Sequence, residues 1–215
     1  MRSKQGIHGR QGVTLPEVLT AAIVLGIVIA SISAIYTMSM RGWYLGAAET
    51  YAQQKAAWVV QRMAPDLRQG MSVTPGSPPD DSIYITVQVP AKTYDSVDGA
   101  YLNQVAVDAL GDPYLVPGDY VTYYRGDADA NLSADGDMLW RRVTRPDGTV
   151  AKSHIVADNI VDNPDDGTGQ PKRMFTYWPD IYRLRSVEIT VTVEESRGHR
   201  TARKTVVGEL SLRNN

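Results

Sequence analysis

The chain has no cysteine, and its formal net charge is only −2. Without cysteine it forms no disulfide bonds, and thiolate metal sites and cysteine nucleophiles are excluded. Its 22 Lys and Arg residues nearly balance its 24 Asp and Glu residues, so the basic excess that accompanies broad nucleic-acid binding is missing. A hydrophobic content of 43% over 215 residues supports one packed domain of ordinary size and argues against a disordered chain.

The sequence also has few residues that suit catalysis. Beyond residue 12 it contains two histidines, His154 and His199, and it has neither a GxSxG nucleophile motif nor a glycine-rich phosphate loop. His154 falls in a predicted strand and His199 in a predicted hairpin turn, so we interpret both as structural or solvent-facing side chains. This pattern predicts that the protein is not an enzyme. A membrane-anchored enzyme is the alternative from that class.

One apolar segment stands out near the start of the chain. Residues 18–35 carry no charge, and at about 1.5 Å rise per residue a helix of this length covers roughly 27 Å, close to the ~30 Å core of a bilayer. The basic residues Arg2, Lys4 and Arg10 precede it. The positive-inside rule therefore predicts a cytoplasmic N-terminus and an extracytoplasmic domain after about Met40.

The residues just before the apolar segment read Gly12-Val13-Thr14-Leu15-Pro16-Glu17. Thr14 and Glu17 have the spacing of a capping box, which satisfies exposed N–H groups in the first turn of a helix. Pro16 is compatible with that turn because its missing N–H would have had no partner there. A carboxylate at a membrane boundary is also unfavourable without a positive partner. Glu17 is therefore a candidate for an ion pair as well as for a cap.

Residues 12–35 resemble the N-terminus of type IV prepilins and type II secretion pseudopilins. In that family a basic leader ends in Gly and is followed by an apolar residue, Thr, Leu, any residue, Glu and a long apolar helix. The resemblance implies that a prepilin peptidase cleaves between Gly12 and Val13 and methylates the new amine. It also implies that Glu17 neutralises the N-terminal ammonium of a neighbouring subunit. Val13 stands where Phe is usual, and Pro16 where a bulky aliphatic residue is usual.

A second interpretation of the apolar segment is a secretory signal peptide. Such a peptide would be cleaved after the apolar run, at a pattern of small residues, and Ser31, Ser33 and Ala34 supply small residues there.

The periodicity of the remaining sequence predicts an α+β fold. Helical spacing continues past the apolar segment, so we expect one helix from Thr14 to Gln69, capped by Gly70, with a kink or a new helical turn at Pro65. The apolar period then becomes two and predicts strands at 82–89, 119–124, 138–144, 150–156, 185–194 and 202–212. We expect a long N-terminal transmembrane and stalk helix that packs on an antiparallel β-sheet.

Together these patterns divide the chain into four parts. They are a cytoplasmic leader (1–12), the transmembrane half of the helix (13–40), its amphipathic half (41–70) and an extracytoplasmic β-rich domain (71–215).

Three later segments resemble the larger minor pilins and minor pseudopilins of the PilW and GspJ type. They are residues 63–70, residues 156–164 with the RMFTYW run that follows, and the end of the last strand at 212–214. This resemblance implies a structural subunit that is held in the bacterial inner membrane and then joins other pilins or pseudopilins, near the tip of a pilus or a secretion pseudopilus. The alternative is a binding subunit at a pilus tip, either an adhesin or a DNA-capture protein.

One acidic loop is a candidate calcium site. Oxygen-bearing side chains occupy alternate positions, as in the first half of a calcium loop: Asp127, Asp129, Asn131, Ser133 and Asp135. The pattern then departs, because Leu132 stands where the sharp-turn glycine belongs and Met138 where the closing Glu belongs. A calcium site and a plain acidic surface loop both fit, and we expect no other cofactor.

A small basic cluster lies near the C-terminal hairpin. It consists of Arg197, Arg200, Arg203 and Lys204. Such a cluster either contacts DNA phosphates or forms the charged end of a hairpin. Loss of the leader would remove three more basic residues, so broad nucleic-acid binding is not expected. A second acidic stretch, residues 162–169, is interpreted as a solvated turn.

Overall fold

A computed structural model describes residues 13–75, 83–95, 100–107, 109, 113–165, 167, 171–178 and 185–212. The chain separates into two compact units, one that ends at Tyr44 and one that begins at Leu45. Both units contain part of a single helix, α1 (Leu15–Gln69).

In the first unit, α1 presents apolar side chains on all sides. Every residue from Val13 to Ser39 is exposed, and the buried residues of the helix begin only at Ala48. Three hydroxyl groups in this segment bond within the helix, because Thr20, Ser31 and Thr37 each donate to the carbonyl oxygen four residues earlier, at 2.6–2.8 Å. The helix is long and apolar enough to span a membrane.

In the second unit, α1 buries one face. Its buried residues are Ala48, Ala52, Ala56, Val59, Met63, Ala64 and Leu67. The helix continues through Pro65, so of the two alternatives expected there a new helical turn is not formed, and the kink stays a prediction. Gly70 follows the end of the helix as predicted, but for a different reason: a Cβ atom at this position would collide with the side chain of Val87.

The described residues of the second unit also form thirteen strands. They are β1 (Ser72–Pro75), β2 (Tyr84–Pro90), β3 (Lys92–Asp95), β4 (Ala100–Asn103), β5 (Val105–Val107), β6 (Pro113–Leu115), β7 (Pro117–Gly126), β8 (Met138–Thr144), β9 (Val150–Ala157), β10 (Ile160–Val161), β11 (Phe175–Trp178), β12 (Ser186–Arg197) and β13 (Arg200–Ser211). Six of these, β2, β7, β8, β9, β12 and β13, correspond to the predicted strands.

The strands form two main antiparallel sheets. The first has the order β1-β2-β7-β8-β9. In the second, β12 pairs with β13 on one side and with the short strands β10 and β11 on the other. Two further ribbons pair β3 with β4 and β5 with β6. The α+β prediction is confirmed at this level.

One hydrophobic core joins helix and sheets. It contains Val59, Met63 and Leu67 from the helix, Val87 and Tyr123 from the first sheet, and Phe175, Ile189 and Val191 from the second. Close approach is enforced at Gly208 of β13, where a Cβ atom would collide with the side chain of Val60. The second unit is therefore held by packing within the chain.

Candidate functional site

The start of α1 is fixed by contacts between Thr14 and Glu17. The backbone N–H of Thr14 donates to Oε2 of Glu17 at 2.9 Å, and the hydroxyl of Thr14 donates to the same oxygen at 2.8 Å. The N–H of Glu17 in turn donates to the carbonyl oxygen of Thr14 at 3.1 Å. One of the two hydrogen bonds of the predicted capping box is formed, because the Glu17 carboxylate accepts from the Thr14 N–H. The second is not, because the Thr14 hydroxyl donates to this carboxylate instead of accepting from a backbone N–H.

This arrangement leaves the Glu17 carboxylate exposed to a partner. Glu17 is exposed, and within residues 13–44 it makes no ion pair. Val13, whose amine is the implied partner in a neighbouring subunit, is 74% exposed. Gly12, the predicted cleavage position, lies outside the described residues. A carboxylate with two donors on one oxygen still has lone pairs for a cation on the other.

The loop from Asp127 to Asp137 is closed mainly by its own hydrogen bonds. Oδ1 of Asp127 accepts from the N–H groups of Asp129 and Asn131 at 3.2 and 3.1 Å. The loop also packs tightly at its base, where a Cβ atom on Gly136 would collide with the backbone of Gly126. Trp140 Nε1 donates to the carbonyl oxygen of Asp127 at 2.9 Å. These groups therefore stabilise the loop itself.

A positive side chain already lies at the base of this loop. Arg125 is buried, donates from Nε to the carbonyl of Gly136 and pairs with Asp162 at 2.6 Å. The cation at the base of this loop is therefore one that the chain itself supplies, and Asp162 balances its charge. In the described part of the chain, no group of three or more His, Asp or Glu side chains comes together as a metal site.

The predicted calcium ligands are thus placed along one loop without forming a cluster. Asp129, Asn131 and Asp135 are exposed, and Asp127 and Ser133 are half-buried. Calcium binding at this loop stays a prediction.

A polar network that the sequence analysis did not anticipate joins the end of α1 to the first sheet. The hydroxyl of Tyr123 donates to Oδ2 of Asp66 at 2.5 Å, and Nε of Arg141 donates to the same oxygen at 2.9 Å. Burial, together with the nearby Asp66 carboxylate, raises the pKa of Tyr123. Burial opposes the charge of Arg141, but Asp66 outweighs it and raises the pKa of that guanidinium. The network is suited to hold helix and sheet together.

His154 lies beside this network, opposite Arg141 in the register of β8 and β9. Its Nδ1 atom is buried and has no hydrogen-bond partner among the described residues. Burial, followed by the charges of Arg141, Lys152 and Arg62, lowers the pKa of His154. The described residues bring no nucleophile into a hydrogen bond with this ring, and the structural interpretation of His154 stays a prediction.

The basic residues of the C-terminal hairpin are mostly engaged within the chain. Arg197 stacks over the ring of Tyr51 at 4.3 Å, and Lys204 lies 3.5 Å from Glu49. Arg203 pairs with Glu194 across the hairpin. Three of the four basic side chains therefore have a partner within the chain, while the side chain of Arg203 remains 66% exposed, and the role of the cluster stays a prediction.

Lys55 of α1 forms ion pairs with residues of the second unit that lie outside the helix. Lys55 pairs with Asp158 at 2.5 Å and with Glu195. Burial opposes the charge of Lys55, but the two carboxylates outweigh it and raise its pKa. These contacts connect the helix to the strands of the second unit.

The comparisons with known proteins add no relative. No family model matches the chain, no curated protein matches it, and no solved structure matches it.

Proposed function

We propose that the protein is a minor pilin or minor pseudopilin, a structural subunit that is processed by a prepilin peptidase and assembled into a type IV pilus or a type II secretion pseudopilus. The observation that carries the proposal is the combination of two features in α1. The chain leaves an apolar helical surface uncovered along residues 15–39, and one carboxylate, Glu17, lies in the first turn of that surface. Such a helix needs apolar surroundings and a positive partner at its start.

The proposed mechanism is packing rather than catalysis. Before assembly, lipid covers the apolar side chains of the first unit. In the filament, helices of other subunits replace the lipid. Glu17 then requires a cation, and the ammonium of Val13 in a neighbouring subunit supplies it after cleavage at Gly12. Because either charge alone is unfavourable in an apolar interior, their pairing selects the stagger between subunits.

The proposal includes a topology. The basic leader stays in the cytoplasm, α1 crosses the inner membrane once, and the second unit lies outside the cytoplasm. After assembly the second unit is in the periplasm or at the cell surface, where it contacts other pilins or pseudopilins.

Intact mass spectrometry of the protein, expressed with and without a prepilin peptidase, tests this proposal. With the peptidase we expect the loss of residues 1–12 and the gain of one methyl group on the amine of Val13. A Gly12→Ala variant is the matched control, and it should keep its leader in both strains. Retention of the leader in the unchanged protein, or a cut near Ala34, would overturn the proposal in favour of a tethered or secreted binding protein.

A further inference from the structure

Strand β13 forms a long, uncovered edge of the second sheet. It pairs with β12 without a register shift over twelve residue pairs, from Arg197↔Arg200 to Ser186↔Ser211. Within the described residues, no strand pairs with its other side. An edge of this kind presents a row of N–H and C=O groups to which another strand can add.

The hydrogen-bond pattern identifies which residues of β13 point their backbone groups outward. In β12, the N–H groups of Thr190 and Glu194 donate away from β13, to the carbonyl oxygens of Met174 and Asn159. Because antiparallel pairs alternate, the even-numbered residues of β13 bond to β12 and the odd-numbered residues point outward. The outward residues are all exposed, and they are Thr201, Arg203, Thr205, Val207, Glu209 and Ser211.

The other edges of the two main sheets, as far as the structure describes them, are short or irregular. Strands β1 and β11 have four residues each, and β10 has two. Strand β9 has eight residues, but its pairing with β8 contains two register shifts. Short edge strands and bulges protect a sheet from added strands. Strand β13, with twelve residues and no register shift, has neither protection.

Two exposed charges of opposite sign lie on the open edge. Glu209 is directly opposite Glu188 in β12, and because like charges in that position are unfavourable, a cation on the open side of Glu209 would be favourable. Arg203 binds Glu194 through Nε, and its side chain is 66% exposed. A guanidinium has five N–H donors, so Arg203 can bind a second carboxylate on its open side. The edge therefore offers one position for a cation and one for an anion.

The sequence of β13 is its own complement. When two copies of the strand pair antiparallel with Val206 opposite Val206, Arg203 of each copy lies opposite Glu209 of the other. In this register the outward backbone groups of one copy face the outward backbone groups of the other, so they can form hydrogen bonds. A shift of two residues in either direction separates both charge pairs. The charges therefore select a second copy of the chain and one register.

The even-numbered side chains of β13 also fit this register. Val206 is half-buried against the core and would contact its own copy, and β-branched side chains pair well across strands. Lys204, which lies 3.5 Å from Glu49, would come opposite Gly208 of the other copy. The basic side chain therefore meets no like charge directly across the interface.

We propose that two copies of the protein associate through β13. The two strands pair antiparallel about a twofold axis at Val206, and they join the second sheets of the two copies into one. The interface is isologous, so the pair between Arg203 and Glu209 forms twice. Backbone hydrogen bonds supply most of the affinity, and the two charge pairs set the register. The inference uses residues of the second unit alone and does not rest on the proposed function.

Reversal of single charges in the full-length chain in detergent tests this pairing. Arg203→Glu places two acidic side chains opposite each other, and Glu209→Arg places two basic side chains there. Each variant alone should therefore associate about tenfold more weakly than the unchanged protein. Lys152→Glu, which reverses an exposed charge on the edge strand β9, is the matched control and should leave association unchanged.

A mixture of the two variants separates pairing from damage to the fold. One partner then carries two acidic side chains on the edge and the other carries two basic ones, so both opposite-charge pairs are restored. We expect a mixed dimer at concentrations at which each variant alone is monomeric. Sedimentation velocity with one variant fluorescently labelled measures this association.

A single introduced cysteine tests the register. The chain has no cysteine, so the thiols of Val206→Cys would lie only on the proposed twofold axis. Directly opposite residues without mutual hydrogen bonds have Cα atoms about 4.5 Å apart, which a disulfide can bridge. Oxidation with copper phenanthroline should therefore give a covalent dimer on a non-reducing gel. Thr201→Cys is the control, because its two copies would lie roughly 33 Å apart along the paired strands.

Three results would overturn the proposal. They are a full-length chain that stays monomeric, single charge variants that associate as strongly as the unchanged protein, and equal cross-linking of Val206→Cys and Thr201→Cys. The second result would assign the dimer to another surface, such as the apolar segment of α1. If a charge variant fails to fold, as circular dichroism would show, the cysteine variants decide. Because these assays need no peptidase and no filament, their failure is distinguishable from failure of leader processing.

Discussion

The two halves of helix α1 follow different rules although they form one continuous helix. Up to Ser39 the apolar side chains surround the helix and all of them are exposed, whereas from Ala48 onward one face is buried at 0–9% exposure. The first pattern is typical of a helix surrounded by lipid or by other helices, and the second of a helix on a folded domain. Among the described residues, the second unit therefore buries the apolar face of its part of α1, whereas the first unit leaves its apolar side chains exposed.

The largest expected effect tests whether the free energy of unfolding comes from packing in the second unit alone. Phe175 is fully buried in the core, so Phe175→Ala should lower the free energy of unfolding by about 3–5 kcal/mol. Ile29 is 56% exposed, and Ile29→Ala should change it by less than about 0.5 kcal/mol. Urea unfolding of the full-length chain in one detergent, followed by tryptophan fluorescence, measures both. Equal losses in the two variants would contradict the comparison.

The polar network at the end of α1 should have the next largest effect. Asp66→Ala removes the acceptor shared by Tyr123 and Arg141. The buried hydroxyl of Tyr123 and the half-buried guanidinium of Arg141 then lose this hydrogen-bond acceptor. We expect a loss of about 2 kcal/mol in the free energy of unfolding. Asp66→Asn keeps an acceptor and should lose less. The same urea titration applies, with Asp129→Ala on the exposed loop as a control that should leave stability unchanged.

A smaller effect should appear as a pH dependence of the second unit. The folded state lowers the pKa of His154 below its ordinary value of 6.5, chiefly through burial. As the pH falls through 6.5, the unfolded chain therefore takes up a proton that the folded chain resists, and stability decreases. Above that pH the imidazole is neutral in both states and has no such effect.

Thermal unfolding between pH 5 and pH 8 measures this dependence. His154→Gln should flatten the decrease on the acid side, because Gln does not titrate. His199→Gln, in the exposed hairpin turn, is the matched control and should leave the profile unchanged. The residues from Val13 to Tyr44 contain no histidine, so a pH response that survives His154→Gln would point to groups outside this explanation.

The long elements of both units were predictable because their periodicity extends over many residues. The helix was predicted from Thr14 and begins at Leu15, and both end at Gln69. Strand β8 was predicted with its observed bounds, Met138–Thr144. The unpredicted strands, such as β1 and β10, have two to four residues, which is too short for alternation to be distinguished from chance.

The candidate sites likewise differ in whether a local sequence pattern predicts them. The Thr14–Glu17 contact follows from a local spacing of three residues, so the sequence indicates it. The Asp66, Tyr123 and Arg141 network depends on the register that places Tyr123 opposite Arg141 and on the helix that crosses them. A signal was present, since Arg141 and Arg142 are adjacent in a strand and must face opposite sides. Which of them meets Asp66 is a tertiary property that no local pattern specifies.

The smallest effect on stability separates the two roles of Glu17. Glu17→Gln keeps an amide oxygen that can accept from the N–H and hydroxyl of Thr14, as the carboxylate does at 2.9 and 2.8 Å. It therefore preserves the cap and removes only the charge, so unfolding of the second unit should be unchanged. Glu17→Ala removes both and should increase hydrogen exchange in the first turn of α1. If Glu17 pairs with the amine of Val13, both variants should fail to enter filaments although both are still cleaved and methylated. If the cap alone matters, Glu17→Gln should assemble normally, and the charge would have no role in assembly.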